Sequence, residues 1–173
     1  PSFTDAALEL LKKKKNRILL HSKHAELPGR QFRSLLNGIL VQDRDLRQET
    51  SEDLKPVTKT EPDARQVSDL LFANILVKHT KSNAMVLVKD KQSLASGTGQ
   101  TSRVDALQQA IAKAQHFGHS LKGAVMASDA FFPFRDGIDA AAQVGITAVI
   151  QSGGSMRENE VIAADDEHGI EMV

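Results

Sequence analysis

The sequence predicts an α/β protein with a mixed sheet and helices on both of its faces. Three observations carry that expectation. From residue 123 onward short apolar runs alternate with helical stretches: 123–128, a helix, Ile146–Gln151, a helix over 156–168, then 170–173. Such a β-α-β-α-β order implies parallel strands joined by right-handed crossovers. Upstream, Ala84-Met-Val-Leu-Val88 and Ser93–Gly97 flank Lys89-Asp-Lys-Gln92 and read as a hairpin, which adds an antiparallel part to the sheet. Two well-capped helical stretches, after Thr60 and after Ser102, supply the covering layers.

Each element has its own reason. Residues 4–14 form a helix with Thr4 as N-cap and Asp5 in its first turn, and Lys12–Lys15 make a cationic C-terminus that the helix dipole favours. Arg17–His21 and Gly38–Gln42 read as short strands. The polar run 43–60 reads as an exposed connection. Thr60 is the expected cap of the next helix, with Pro62 near its first position and Asp63 completing a capping-box-like pair. Val67, Leu70, Leu71 and Ile75 fall on one face. Ser102, with Asp105 three residues on, caps the following helix, whose apolar face is Val104, Leu107 and Ile111 and which Gly118 ends. Ile138–Val144 is a further helix, closed by Gly145.

Composition narrows the function. Formal net charge is zero, with 22 basic and 22 acidic residues, so no global field favours nucleic acid or an anionic membrane. There is no Cys, which excludes disulfides, a thiol nucleophile and thiolate zinc sites. No apolar run approaches a membrane span and the N-terminus lacks a signal-peptide pattern, so a cytoplasmic protein is expected. The six His show no metal spacing; His21 and His24 stand three apart without a third ligand. The chain opens without Met and stops in an expected strand, which suggests a piece of a longer polypeptide.

The most informative stretch is Ser128-Asp-Ala-Phe-Phe-Pro-Phe-Arg-Asp136, with three of the chain's seven Phe in four positions. It lies between an expected strand and helix, where α/β sheets bind ligands. Two readings stand open: a hydrophobic plug on the core, or a flat apolar wall for a planar ligand with Asp129, Arg135 and Asp136 as polar handles. Three other segments are expected at the same end of the sheet. Lys78-His-Thr-Lys-Ser-Asn83 offers an amide and hydroxyls, or simply turn residues. Gly97-Thr-Gly-Gln-Thr-Ser-Arg103 and Gln151-Ser-Gly-Gly-Ser155 are glycine turns ahead of helices, able to receive an anion or merely to cap. Ser155 with Glu158 makes a capping box that would by itself explain the serine.

Taken together, Val77-Lys-His-Thr-Lys-Ser-Asn83, Gly97–Arg103, Ser128–Asp136, Ser152-Gly-Gly-Ser155 and Leu40-Val-Gln-Asp-Arg44 closely resemble the AICAR transformylase family, the formyltransferase half of a bifunctional enzyme that also carries IMP cyclohydrolase. The resemblance covers essentially the whole chain. It implies a cytidine-deaminase-like three-layer α/β/α subdomain without zinc, over 61–173, preceded by a lead-in over 1–60. It implies transfer of formyl from 10-formyltetrahydrofolate to the 5-amino group of AICAR. In that reading Phe131 and Pro133 form part of the folate wall, Asn83, Arg103 and Asp136 are polar contacts, and Ser155 lies near the folate tail. A monovalent cation such as potassium would match Val77, Thr80, Ser82 and Asp129. The resemblance also implies a homodimer with shared sites and no nucleic-acid or membrane partner. The family's catalytic Lys-His pair belongs upstream and is not Lys78-His79, its closing Arg-x-Phe-x-His segment does not occur here, and Gly137 stands where some members have Asn. The chain alone is therefore expected to be inactive. The competing expectations are a non-catalytic binding or structural module, and an unrelated nucleotide binder resting only on glycine loops.

Overall fold

The computed structural model of the chain describes residues 2–23 and 28–173. They fall into two units, one ending at Arg47 and one spanning Gln48–Val173. His24 lies outside the described residues.

The first unit holds helix α1, Asp5–Lys12, and a two-stranded hairpin of β1, Arg30–Leu35, and β2, Gly38–Asp43. Thr4 caps α1 as expected, its hydroxyl accepting from the Ala7 N–H at 3.2 Å. The helix ends at Lys12, two residues short of expectation. Arg17–His21 form no strand, because no segment among the described residues pairs with them; Ile18 and Leu20 stand 83% and 79% exposed. The partner of β2 is instead β1, in antiparallel register from Arg30 opposite Asp43 to Leu35 opposite Gly38. The polar pattern of β1 had concealed it.

In the second unit, α2 covers Ala64–Lys78, β3 Met85–Lys89, β4 Gln92–Gly97, α3 Arg103–His116, β5 Val125–Ser128, α4 Asp136–Gln143, β6 Ala148–Ile150, α5 Glu158–His168 and β7 Glu171–Met172. The five strands form one mixed sheet in the order β4-β3-β5-β6-β7. β3 runs antiparallel to both β4 and β5, while β5, β6 and β7 are parallel. The hairpin and the β-α-β-α-β part thus take the expected places.

Strand alternation divides the core into two apolar clusters. Val86, Val88, Val125, Ala127, Ala148 and Ile150 pack with Leu70, Ala73 and Val77 of α2. Met85, Leu87, Met126, Val149 and Met172 pack with α3, α4 and α5. Successive residues of a strand face opposite sides, so a continuous apolar run such as Met85–Val88 is the mark of a strand buried on both faces.

The cap and the buried face of α2 differ from expectation. Asp63, not Thr60, caps α2, and it does so in a complete capping box: Gln66 N–H donates to Asp63 Oδ1 and Asp63 N–H to Gln66 Oε1, each at 2.7 Å. The buried stripe of α2 is Gln66, Asp69, Leu70, Ala73 and Val77, so of the four expected face residues only Leu70 is fully buried. The reason is polar: Asp69 carries the β3–β4 turn. Asp90 and Lys91 have φ of 52° and 57°, and their N–H groups donate to the Asp69 carboxylate at 2.8 and 2.7 Å. That is a two-residue left-handed hairpin turn held from below by a buried acid.

Of the run 43–60, read as an exposed connection, Asp43 ends β2, and residues 48–60 are mostly exposed but also tied down. Val57 N–H donates to the Met172 carbonyl at 2.9 Å, and Met172 N–H to Thr58 Oγ1 at 2.9 Å. Lys59 N–H donates to Asp166 Oδ1 at 2.8 Å. These bonds satisfy the outer edge of β7, which would otherwise present unpaired backbone groups.

Candidate functional site

The site is built at the end of the sheet where β5 and β4 finish and β3 begins. Three loops meet there. Loop 79–83 and loop 98–102 are stitched by their backbones: Asn83 N–H donates to the Gln100 carbonyl at 3.2 Å, Gln100 N–H to the Asn83 carbonyl at 3.3 Å, and Gly99 N–H to the Lys81 carbonyl at 2.8 Å. The Asn83 amide adds a bond to the Gln100 carbonyl at 3.0 Å. The Ser82–Asn83 peptide is cis. Asn83 therefore joins the two loops.

Loop 98–102 delivers Arg103 at the first position of α3, where Ser102 is the N-cap and accepts from Asp105 N–H at 3.1 Å. Gly97 lets α3 sit this close, since a Cβ there would lie 1.7 Å from the Ala106 carbonyl oxygen. The third loop, after β5, delivers Asp129. Its carboxylate accepts from the Ser82 hydroxyl, and its other oxygen lies 3.7 Å from Arg103 Nη2. Arg103 Nε and Asp129 Oδ1 are both buried without a hydrogen-bond partner. Unpaired buried polar atoms are rare and mark a ligand, ion or water position. On its other side the Arg103 guanidinium lies 5.9 Å from the Phe131 ring centroid, within cation–π range.

The aromatic loop divides its rings between the interior and the surface. Phe132 is 1% exposed and is among the largest fully buried side chains. Phe131 and Phe134 are 38% and 50% exposed. Gly137 packs under Phe132; a Cβ would lie 2.9 Å from its ring. Pro133 is half-buried between the exposed rings. Asp136 is exposed at the first position of α4, where its carboxylate accepts from Gly137 N–H at 2.9 Å. Arg135 departs from the expected polar handle: its guanidinium bonds Asp139 and Glu167 rather than facing Phe131.

Ser155 is displaced from its expected N-cap position. Arg157 holds that place without a side-chain cap bond, and α5 begins at Glu158. The reciprocal pair nonetheless forms one step out: Ser155 Oγ accepts from Arg157 N–H at 3.2 Å, and Glu158 Oε1 from Gly154 N–H at 2.9 Å. The Gly154 N–H expected to receive an anion is thus taken by Glu158. Ser155 is linked to the aromatic loop through Arg157, whose guanidinium lies 5.2 Å from the Phe134 centroid.

The sequence-named residues therefore divide. Asn83, Ser82, Asp129, Arg103 and Phe131 come together as one connected group. Val77 and Thr80 form a separate pair at the end of α2, where Thr80 N–H donates to the Val77 carbonyl at 2.9 Å. Gln151 was not singled out by side chain, yet its Oε1 accepts from Phe132 N–H at 2.9 Å. Among the described residues no cluster of three His, Asp or Glu side chains forms a metal site, and no helix is long and apolar enough to cross a membrane.

Comparison with known proteins agrees along the whole chain. The profile of the AICARFT/IMPCHase bienzyme family matches residues 1–113. The bifunctional purine biosynthesis protein PurH of Bacteroides thetaiotaomicron is 60% identical over 173 residues, covering all of this chain and 34% of that protein. The protein of the same description from Chlorobium phaeobacteroides is 49% identical, covering all of this chain and 33% of it. The chain thus spans about a third of the length of these relatives. A crystal structure of a diaminohydroxyphosphoribosylaminopyrimidine deaminase/5-amino-6-(5-phosphoribosylamino)uracil reductase from Thermotoga maritima shares 21% identity over 61% of this chain and 34% of its own, at a TM-score of 0.43. A likeness that slight carries no weight on fold or function.

Proposed function

The chain belongs to the AICARFT/IMPCHase bienzyme family, and from that premise we propose that it is the folate-side part of a formyltransferase of purine biosynthesis. The reaction would move a formyl group from 10-formyltetrahydrofolate to the 5-amino group of AICAR. The amine forms a new bond to the formyl carbon, the carbon–nitrogen bond to folate breaks, one proton leaves the amine and one is taken up by folate nitrogen. The Lys-His pair expected to move those protons would come from sequence beyond this chain, so the chain alone binds without turning over. We further propose that the sheet with its two apolar clusters is a cytidine-deaminase-like three-layer subdomain, and that the whole enzyme works as a homodimer in the cytoplasm.

One observation carries the reading: Phe131 presents a half-open aromatic face with Arg103 beside it and two unsatisfied buried polar atoms next to them. A planar heterocycle with a ring amide suits that arrangement, since it stacks on an apolar wall and brings both a donor and an acceptor. Pro133 extends the wall. Asn83 and Asp136 border it as polar contacts, and Ser155 lies beyond Arg157 on the side assigned to the folate tail. The oxygen donors expected for a monovalent cation are hard ligands of the right kind, and Asp129 Oδ1, which lies 3.7 Å from Arg103 Nη2 but accepts no hydrogen bond, is consistent with one. Held by Val77, Thr80, Ser82 and Asp129, such an ion would offset the charge of Asp129 and steady loop 79–83.

The test is a saturation-transfer NMR titration of this chain with folic acid and with AICAR. The reading predicts transfer to the pterin ring protons, lost in Arg103→Ala and in Asn83→Ala variants that remain folded. Transfer that survives both substitutions would remove these residues from the site.

A further inference from the structure

We propose that Gln151 and Arg135 are positioning residues of the aromatic loop, fixing from two sides the backbone that presents Phe131 without touching the ligand themselves. The inference rests on the reading of that loop as a ligand wall.

Residues 129–135 form no helix or strand, yet the placement of Phe131 decides whether the wall faces Arg103. Phe131 has no backbone hydrogen bond of its own among the described residues. Its neighbours hold it. On the near side the Ser128 hydroxyl donates to the Ala130 carbonyl at 2.6 Å, and Asp129 N–H to the Ala84 carbonyl at 3.3 Å. On the far side Phe132 N–H donates to Gln151 Oε1 at 2.9 Å. Gln151 follows β6 directly, and its own backbone is fixed by donation to the Val173 carbonyl at 3.1 Å. Its side-chain amide donates to Met172 Sδ at 3.2 Å, which turns the oxygen toward Phe132. The acceptor is therefore mounted on the sheet and aimed at one loop amide.

Arg135 fixes the exit of the loop. Its Nε and Nη2 donate to the two oxygens of Asp139, each at 3.0 Å, and Nη2 also reaches Glu167 at 2.7 Å. His168 Nε2 lies 2.7 Å from the same Asp139. Isolated surface ion pairs hold little, but a bidentate arginine shared between two carboxylates is the exception. The Arg135 hydrogen bonds and that of His168 hold the Asp139 carboxyl down to about 2. The network thus ties the loop's last residues to α4 and to the end of α5.

A purely structural role for these residues makes a different prediction, which two substitutions separate. Gln151→Met keeps the length of the side chain and removes the acceptor; Gln151→Glu keeps an acceptor. We would measure amide hydrogen exchange across the whole chain for the parent, these two variants and Arg135→Ala, each also titrated with folic acid. Gln151→Met and Arg135→Ala are expected to speed exchange over 130–134 by about tenfold or more while α4 and β6 stay protected. Gln151→Glu is expected to restore slow exchange, and folic acid affinity to fall in the same order as protection. Unchanged exchange over 130–134 would overturn the proposal, as would an equal rise through α4 and β6 or a failure of Gln151→Glu to rescue. If the loop loosens as expected but the parent takes up no folic acid, the ligand reading fails while the positioning of the loop stands.

Discussion

Phe131 and Phe132 are neighbours in sequence and opposites in surroundings. Phe132 points into the apolar cluster beneath α3, α4 and α5 and is 1% exposed; Phe131 points out, 38% exposed, with a guanidinium against its face. The inner ring anchors the loop, and the outer one is free to meet a ligand because its neighbour does the packing. A run of aromatics in a strand-to-helix loop thus need not be either plug or wall. The same division runs along α5. Glu167 and His168 face out and join the Arg135 network, while Asp165 faces in with both carboxylate oxygens buried and unpartnered.

The largest test of this division is Phe132→Ala. Emptying a fully buried aromatic site costs about 4 kcal/mol, so the denaturant midpoint of the chain should fall sharply. Next comes Asp165. Burial, and then the charge of Asp166, push its carboxyl up to about 8 from an ordinary 3.8. Between those values the folded chain keeps a proton that the unfolded chain has released, so stability should decline as pH rises from about 4 to about 8 and level off beyond. Asp165→Asn should remove that slope and gain on the order of 3 kcal/mol at pH 8; an unchanged slope in the variant would show that groups other than Asp165 cause it. Gly137→Ala should cost about 1–2 kcal/mol, because its Cβ meets the Phe132 ring and the loop must shift. Phe131→Ala should change unfolding by less than about 0.5 kcal/mol. A loss approaching that of Phe132→Ala would erase the contrast between the rings.

Much of this was legible in the chain. Alternating apolar runs and helices announced the mixed sheet, because strands buried on both faces must be apolar throughout. The motif loops announced where a site would form, because loops after strands gather at one end of the sheet. What stayed hidden was whatever depends on a partner far away in sequence. Arg17–His21 has the composition of a strand but no neighbour among the described residues to pair with, whereas the polar β1 gains one in β2. Asp69 reads as an interruption of an apolar helix face until the β3–β4 turn is seen resting on it. Thr60 is a good cap in isolation and loses to Asp63, whose side chain exchanges bonds with Gln66. Within the site, Arg135 looked like a ligand handle although Asp139 stands four positions on, at helical spacing; only its partner Glu167 on α5 is set by packing. Gln151 went unnoticed because its partner lies 19 positions earlier.

The measurement that bears most directly on the central claim is a calorimetric titration of this chain with folic acid, run in parallel on Phe131→Ala and on the parent at matched folded fraction. The account predicts a saturable heat for the parent and a loss of at least about 1 kcal/mol of binding free energy in the variant, the worth of an aromatic stacking partner. Equal affinity in parent and variant would contradict it, since the outward ring would then be surface and not wall.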